Sequence, residues 1–264
     1  MQDTINLTEI LLQQEAHIAE VGQRKGVLGH IHEHDMLFDF LVRAVFLTDP
    51  AKAVDAYFEG GEDCCRRFAA LCAEHFQGTV GTVLEFASGY GRVARHAHRL
   101  LPGTRWICCD IHLEAVEYTR SRLGLEAMLS STDPEAWDAG GQRFNVVFAL
   151  SFFSHMPHAT FDYWIERLLD VVAPGGLLIF TTHGEVSAGN MRAGGLDAQF
   201  NEAGFFWHTA SDQRDLEAVD YGTSVVTLAY VHRALQRQPG ARLIRFQEAW
   251  WWGHQDLYVA RRTL

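Results

Sequence analysis

The sequence predicts an α/β protein built on a doubly wound, mostly parallel sheet. Strand-like and helix-like segments alternate after about residue 78, which is typical of β-α-β units. Residues 145–150 form a continuous apolar run, the pattern of a strand that is buried on both faces of a parallel sheet. With 264 residues, 48% of them hydrophobic, the chain is long enough to bury one large core.

The alternating segments are predicted in a definite order. The expected strands are residues 82–86, 105–109, 126–129, 145–150 and 177–182, and the expected helices between them are residues 92–101, 113–123 and 161–172. Residues 223–236 are predicted to form a helix capped by Thr223, followed by a hairpin of strands 242–250 and 256–261. Residues 79–182 would therefore form the core, and residues 223–264 the last helix and an antiparallel hairpin.

Two further segments decorate this single predicted domain, residues 1–264. Residues 1–78 are predicted as a helical N-terminal cap, with helices at 35–46 and 64–76 separated by a break at Gly60-Gly61. Residues 183–222, rich in Gly, Asn, Asp and aromatic residues, follow the fifth strand without a clean period. Long irregular inserts in compact domains tend to be functional lids, so we expect the cap and this insert to cover an acceptor pocket.

Composition narrows the class of partner. The formal net charge of -11 argues against nucleic acid, because an acidic chain is repelled by phosphates. Five cysteines without a Cys-x-x-Cys pair indicate reduced thiols and no structural metal site. His30, His32 and His34 alternate and suggest a metal site, but a solvated turn or a lid contact is favoured. Without a signal peptide or an apolar span, we expect a cytoplasmic protein that does not bind membranes.

The strongest motif is residues 83–91, Val-Leu-Glu-Phe-Ala-Ser-Gly-Tyr-Gly, which follows a predicted strand and precedes a helix. Small residues there allow close backbone approach to a ligand and positive φ angles. Asp110 lies 21 residues after Gly89, at the end of the second predicted strand. A carboxylate in that place accepts hydrogen bonds from a ribose diol. The pattern therefore predicts a nucleoside-containing ligand.

Residues 82–182 resemble the class I S-adenosylmethionine (SAM)-dependent methyltransferases. The likeness rests on an acidic residue followed by spaced small residues, the acidic strand end at 106–110, the strand followed by Leu-Ser-Phe-Phe-Ser-His at 150–155, and the turn Pro174-Gly175-Gly176. The family usually has glycine where this chain has Ala87, whose methyl group is tolerated if its φ angle is negative.

The resemblance implies a Rossmann-like, seven-stranded, mostly parallel sheet with flanking helices and SAM as the cofactor. It also implies a set of cofactor contacts. The amino-acid end of SAM would lie at Ala87, Ser88, Gly89 and Gly91 with Glu85 close by, the ribose at Asp110, the adenine at Ile111, Ser131 and Thr132, and the sulfonium end at Leu150 and Ser151.

Two other functions compete with this interpretation. An NAD-dependent Rossmann oxidoreductase is suggested by Gly89-x-Gly91-x-x-Ala94 followed by Asp110. Against it, Glu85 would place a carboxylate near a pyrophosphate, and the C-terminal hairpin resembles that of methyltransferases. The other alternative is a non-catalytic SAM-fold binding protein, which an eroded motif would favour.

The acceptor is expected beyond the carboxyl ends of the strands. His155 follows the fourth strand and His183 the fifth, and histidine has the intrinsic pKa of a base near neutral pH. We predict His183 as the proton acceptor, with His254 and Tyr221 positioning the acceptor; His155 either packs on SAM or hydrogen-bonds the main chain. Candidate bases favour oxygen over nitrogen as the methylated atom.

The segment Trp-Trp-Trp-Gly-His-Gln-Asp at residues 250–256 suggests what kind of small molecule is bound. Aromatic planes beside polar groups suit a sugar ring or a hydroxylated natural product. The alternative is that Trp250 and Trp252 are core residues and that His254 caps the turn. A homodimer is one assembly that the sequence leaves open.

Overall fold

The computed structural model describes residues 6–209 and 216–264. The strands are β1 Thr82–Phe86, β2 Arg105–Asp110, β3 Glu126–Leu129, β4 Phe144–Ala149, β5 Val172–His183, β6 Phe205–His208, β7 Thr223–Val226, β8 Ala241–Trp251 and β9 Gln255–Arg262. The α-helices are α1 Leu7–Gln13, α2 Glu15–Lys25, α3 Met36–Phe40, α4 Pro50–Ala73, α5 Ala97–Leu100, α6 Leu113–Ser121, α7 His158–Asp170, α8 Glu185–Ala193 and α9 Leu228–Gln236.

Seven strands of the described chain form one sheet in the order β3-β2-β1-β4-β5-β9-β8. β4 runs parallel to both β1 and β5, and β9 pairs antiparallel with β5 and with β8. The predicted seven-stranded, mostly parallel sheet with an antiparallel hairpin is confirmed. Val146, Val147 and Phe148 of β4 are completely buried, as the continuous apolar run predicts.

The chain divides into two compact units, residues 1–80 with 88–127 and residues 81–87 with 128–264. In the first unit, α4 is one continuous helix, capped by the Asp49 side chain and started by Pro50. The predicted break at Gly60-Gly61 is therefore wrong. A Cβ on Gly61 would lie 2.3 Å from the main-chain oxygen of Arg92, so glycine serves close packing there instead of ending the helix.

The segment after residues 87–91 is less regular than a single helix. A 3₁₀ turn, Ala94–His96, precedes the short α5, where the sequence predicts one helix over residues 92–101. A π-helical turn, Leu41–Val45, likewise extends α3. The main apolar cluster of the N-terminal helices in this unit includes Ile18, Val21, Phe38, Val54 and Phe58.

In the second unit, the segment predicted as an irregular insert contains regular elements. It holds α8, and β6 pairs antiparallel with β7, which begins at Thr223 opposite His208. Thr223 as the helix cap is wrong: the α9 cap is Thr227, whose side chain accepts a hydrogen bond from the Tyr230 amide. Residues 1–5 of the predicted cap and 210–215 of the predicted insert lie outside the described residues.

No helix among the described residues has the length and apolar character needed to cross a bilayer. The predicted cytoplasmic location and the homodimer stay predictions.

Candidate active site

In the first unit, the glycine loop after β1 is fixed by main-chain hydrogen bonds. The Ser88 amide donates to the Cys109 carbonyl (3.0 Å), and the Gly89 amide donates to Oδ2 of Asp110 (2.7 Å). Gly89 has φ +53°, and a Cβ built on it would meet nothing within 4 Å. A side chain on Gly91 would instead collide with Leu123. Gly91 therefore serves packing, while Gly89 leaves open space beside the loop.

Asp110 is held in one orientation at the end of β2. Its Oδ1 accepts hydrogen bonds from the His112 amide (3.0 Å) and is 2.9 Å from His112 Nδ1. Because a carboxylate oxygen can accept two bonds and Oδ2 takes one from the Gly89 amide, Oδ2 keeps one acceptor position. His112 was not predicted from the sequence. The neighbouring Ile111 is half-buried.

In the second unit, the ends of β1 and β4 carry two strained residues. The strands pair in register, with Glu85 opposite Phe148. Just beyond them, Ala87 has φ +58° and Ser151 φ +59°, a left-handed conformation that costs an L-residue roughly 1–2 kcal/mol. The condition that Ala87 has a negative φ is thus not met. Glu85 itself is buried. Strained backbone at strand ends is typical of ligand sites.

A buried polar network holds Ser151. The Ser151 amide donates to Thr181 Oγ1 (2.8 Å), and the Thr181 hydroxyl donates to Gln255 Oε1 (2.7 Å). Gln255 Nε2 in turn lies 2.9 Å from Ser151 Oγ. Thr181 and Gln255 were missed, although Gln255 belongs to the His-Gln-Asp ending noted in the sequence. This network determines which way Ser151 points.

The remaining predicted cofactor residues of this unit are more exposed. Leu150 and Ser131 are half-buried and Thr132 is exposed. The Ser131 hydroxyl accepts a hydrogen bond from the Asp133 amide (3.0 Å), which fixes the turn after β3.

Four predicted acceptor residues come together in a row of rings. The Tyr221 and His155 rings stack with centroids 4.5 Å apart, His155 and His183 are 6.1 Å apart, and His183 and His254 are 6.0 Å apart. Main-chain pairing sets this row, because the Gly222 amide donates to the His155 carbonyl (3.1 Å). His155 Nδ1 is 2.8 Å from the Gly222 carbonyl oxygen.

His183 is half-buried, like the other three members of the row. Burial, together with the neighbouring His155 and His254, lowers the pKa of His183 to about 3, although a hydrogen bond with the Ser224 main chain opposes the shift. Its Nδ1 is buried without a hydrogen-bond partner among the described residues. His183 is therefore a neutral imidazole at physiological pH, and one of its nitrogens makes no hydrogen bond to the described residues.

The tryptophans at the β8–β9 turn do not fit the alternative in which Trp252 is a core residue. Trp251 is fully buried, whereas Trp252 is 38% exposed and its ring stacks on His254 at 6.2 Å. Asp256, next to this turn, is 3% exposed and accepts a hydrogen bond from the Ala249 amide (2.8 Å). Burial raises the pKa of Asp256 to about 6.

One of the alternating histidines of the first unit contacts the glycine loop. The His32 ring stacks on Tyr90 at 4.5 Å, and ligating atoms of His32, His34 and Glu114 lie within 4.8 Å of one another. However, the His34 amide donates to His32 Nδ1 (3.2 Å), so in the neutral ring the proton sits on Nε2, the atom that faces Glu114. This arrangement favours a hydrogen-bonded cluster over a metal site.

The comparisons with known proteins agree with the motif. Residues 83–176 match the family model described as "Methyltransferase domain". No curated protein sequence matches the chain significantly.

Solved methyltransferases share the fold at low sequence identity. The plantazolicin methyltransferase BpumL in complex with SAH matches with a TM-score of 0.59 and 12% identity, over 98% of this chain and 99% of that chain. An O-methyltransferase family protein from Burkholderia thailandensis has a TM-score of 0.54 and 15% identity, over 98% of this chain and 71% of that chain.

The glycopeptide N-methyltransferase MtfA complexed with SAM has a TM-score of 0.50 and 17% identity, over 76% of this chain and 86% of that chain. These structures support the fold, and the family model covers the glycine loop, the acidic strand end and β4. Residues 83–176 therefore carry a methyltransferase domain, on a fold shared with solved methyltransferases, and this match supports an enzyme whose cofactor is SAM.

Proposed function

We propose that this enzyme methylates an oxygen, and less readily a nitrogen, of a small-molecule acceptor such as a sugar or a hydroxylated natural product. The observation that carries the proposal is the row of Tyr221, His155, His183 and His254, in which neutral His183 has a buried Nδ1 without a partner among the described residues. A ligand hydroxyl is the group that would satisfy this nitrogen.

The residues of each unit fit SAM. In the first unit, the cofactor residues are Ser88, Gly89, Gly91, Asp110 and Ile111; in the second, they are Glu85, Ala87, Ser131, Thr132, Leu150 and Ser151. Two observations support this set: the open space beside Gly89 and the acceptor position left on the Asp110 carboxylate. Bound SAM supplies a methyl group on a positively charged sulfonium.

His183 would accept the proton that the acceptor loses. A hydroxyl becomes strongly acidic only as its oxygen bonds to the methyl carbon, so a weak neutral base is sufficient. The same burial that lowers the pKa of His183 makes the protonated ring unstable, which favours release of the proton after transfer. Tyr221 and His254, at the two ends of the row, would position the acceptor.

The low pKa of His183 also favours oxygen over nitrogen. An amine is largely protonated at neutral pH and must lose a proton before it attacks, which a base with a pKa of about 3 cannot achieve efficiently. The fold itself permits both, because the matched structures include an O-methyltransferase family protein and a glycopeptide N-methyltransferase.

The test is a kinetic comparison of single histidine variants on a panel of hydroxylated and amine acceptors. His183→Ala should lower kcat by roughly 10²–10⁴ while leaving SAH affinity unchanged, and His254→Ala should mainly raise the acceptor KM. His158→Ala is the matched control, since His158 lies at the start of α7 and contacts the Tyr230 hydroxyl.

Two results would count against the proposal. A loss of only a few-fold in His183→Ala, with a large loss in His155→Ala or His254→Ala, would move the base to that residue. Turnover of amines but not of hydroxyl compounds would replace oxygen with nitrogen.

A further inference from the structure

Arg95, in the 3₁₀ turn before α5, is a buried arginine. Its hydrogen-bond acceptors lie in three segments of the first unit that are far apart in the sequence. The residue is 7% exposed although its guanidinium carries a full charge. Its hydrogen-bond acceptors among the described residues are all neutral oxygens. They are the carbonyls of Gly91 (3.1 Å), Tyr90 (3.2 Å), Leu28 (3.3 Å) and His30 (2.8 Å) and the hydroxyl of Tyr57 (3.3 Å).

Two aromatic rings enclose this guanidinium. The rings of Tyr57 and Phe58 lie 5.2 and 5.3 Å from the guanidinium carbon. The Tyr57 hydroxyl also donates to Asp35 (2.6 Å), and Asp35 accepts the amides of the first turn of α3. Arg95 is thus supported by two helices of the N-terminal region, and its donors cannot turn toward water without leaving this pocket.

A second contact joins the same two segments without using Arg95. His32 stacks on Tyr90, with ring centroids 4.5 Å apart and planes 15° apart. Nearby, the Tyr118 hydroxyl donates to the His30 carbonyl (3.2 Å). His32 therefore packs directly on Tyr90, which belongs to the cofactor loop.

We infer that Arg95 is a positioning residue that couples the order of residues 28–35 to the conformation of the cofactor loop, residues 88–91. If residues 28–30 move away, two buried donors of a charged group lose their acceptors, and the Tyr90 and Gly91 carbonyls lose a fixed partner. Linkage is reciprocal, so SAM binding to the loop and ordering of residues 28–35 strengthen each other. The inference rests on the cofactor role of the loop and needs no knowledge of the acceptor.

The experiment combines SAH titration calorimetry with hydrogen exchange of peptides that cover residues 26–35. Arg95→Lys keeps the charge but removes the planar fork of donors, and should weaken SAH binding about tenfold. In the wild type, SAH should slow exchange across residues 26–35; in Arg95→Lys this protection should be lost. Arg92→Lys is the matched control, because Arg92 donates to the main chain of α4 at Tyr57 (3.0 Å).

The outcomes separate coupling from simple stabilisation. A lower melting temperature for Arg95→Lys, with SAH affinity and SAH-induced protection both kept, would overturn the inference. So would wild-type SAH binding that leaves residues 26–35 unprotected, whereas a wild type that does not bind SAH at all would refute the cofactor role of the loop. If Arg95→Lys does not fold, Tyr57→Phe removes one acceptor and the link to Asp35, and should show the same two changes at about threefold in affinity.

Discussion

Ala87 holds backbone strain at the end of β1, and glycine there should release it. A φ angle of +58° costs an L-residue roughly 1–2 kcal/mol of conformational free energy, whereas glycine adopts this region without that cost. Glycine loses about 0.5–1 kcal/mol more conformational entropy on folding, so the net gain lies in the range of about 0–1.5 kcal/mol. Ala87 is exposed, so loss of its methyl group removes little buried surface. Ala87→Gly should therefore unfold at a higher urea concentration with an unchanged m value.

Glycine substitutions at two other residues of the second unit with left-handed φ angles serve as comparisons for the stability change of Ala87→Gly. Ala249 has φ +48° in an irregular part of β8, and Ala249→Gly should be stabilised by a similar amount. Ser151→Gly should instead be destabilised by about 1–3 kcal/mol, since the Gln255 side chain loses the Ser151 hydroxyl as a buried partner. The strain argument at Ala87 is refuted if Ala249→Gly is stabilised while Ala87→Gly is not. SAH affinity of Ala87→Gly should stay within about threefold, because the backbone already has a conformation that glycine adopts.

Two further predictions concern pH. Burial raises the pKa of Asp256 to about 6 from 3.8, so its contribution to stability is present below about pH 4 and is lost as the pH rises through 6. The free energy of unfolding of Asp256→Asn, measured relative to the wild type, should thus be about 1–2 kcal/mol higher at pH 8 than at pH 4. The same difference in urea midpoint at both pH values would contradict this. Burial lowers the pKa of both His96 and His183 to about 3 from 6.5, so stability present above pH 6.5 is lost as the pH falls toward 3. In urea titrations, His96→Leu should lose about 1–2 kcal/mol less free energy of unfolding between pH 7 and pH 5 than the wild type does. The same loss in both proteins would exclude His96 as a cause.

Local patterns predicted the sheet because strand signals depend on neighbouring residues. The run at 145–150 corresponds to β4 with a shift of one residue, and the acidic end of β2 was placed by its spacing from the glycine loop. Asp110 could be named because a motif fixes both its type and its distance from Gly89.

Elements that depend on distant partners were mispredicted. Gly60 and Gly61 read as a helix break until Arg92, about thirty residues later, is seen to pack against them. Thr223 read as a helix cap, yet residues 223–226 form a strand because β6 supplies its hydrogen bonds. Gln255 lies 104 residues from Ser151, so no local signal links the two.

The choice of a base is the clearest case in which composition was insufficient. Histidine suggests a proton acceptor with a pKa near 6.5, and three histidines followed or neighboured strand ends. In the fold, His155 Nδ1 contacts the Gly222 carbonyl, and His183 is half-buried beside two other imidazoles. Burial turns His183 from a base that removes a proton in advance into one that receives it only during bond formation. The kcat of such an enzyme should stay level from pH 6 to 8 on a hydroxylated acceptor, whereas a limb with a midpoint near pH 6.5 would show that the base is a group other than His183.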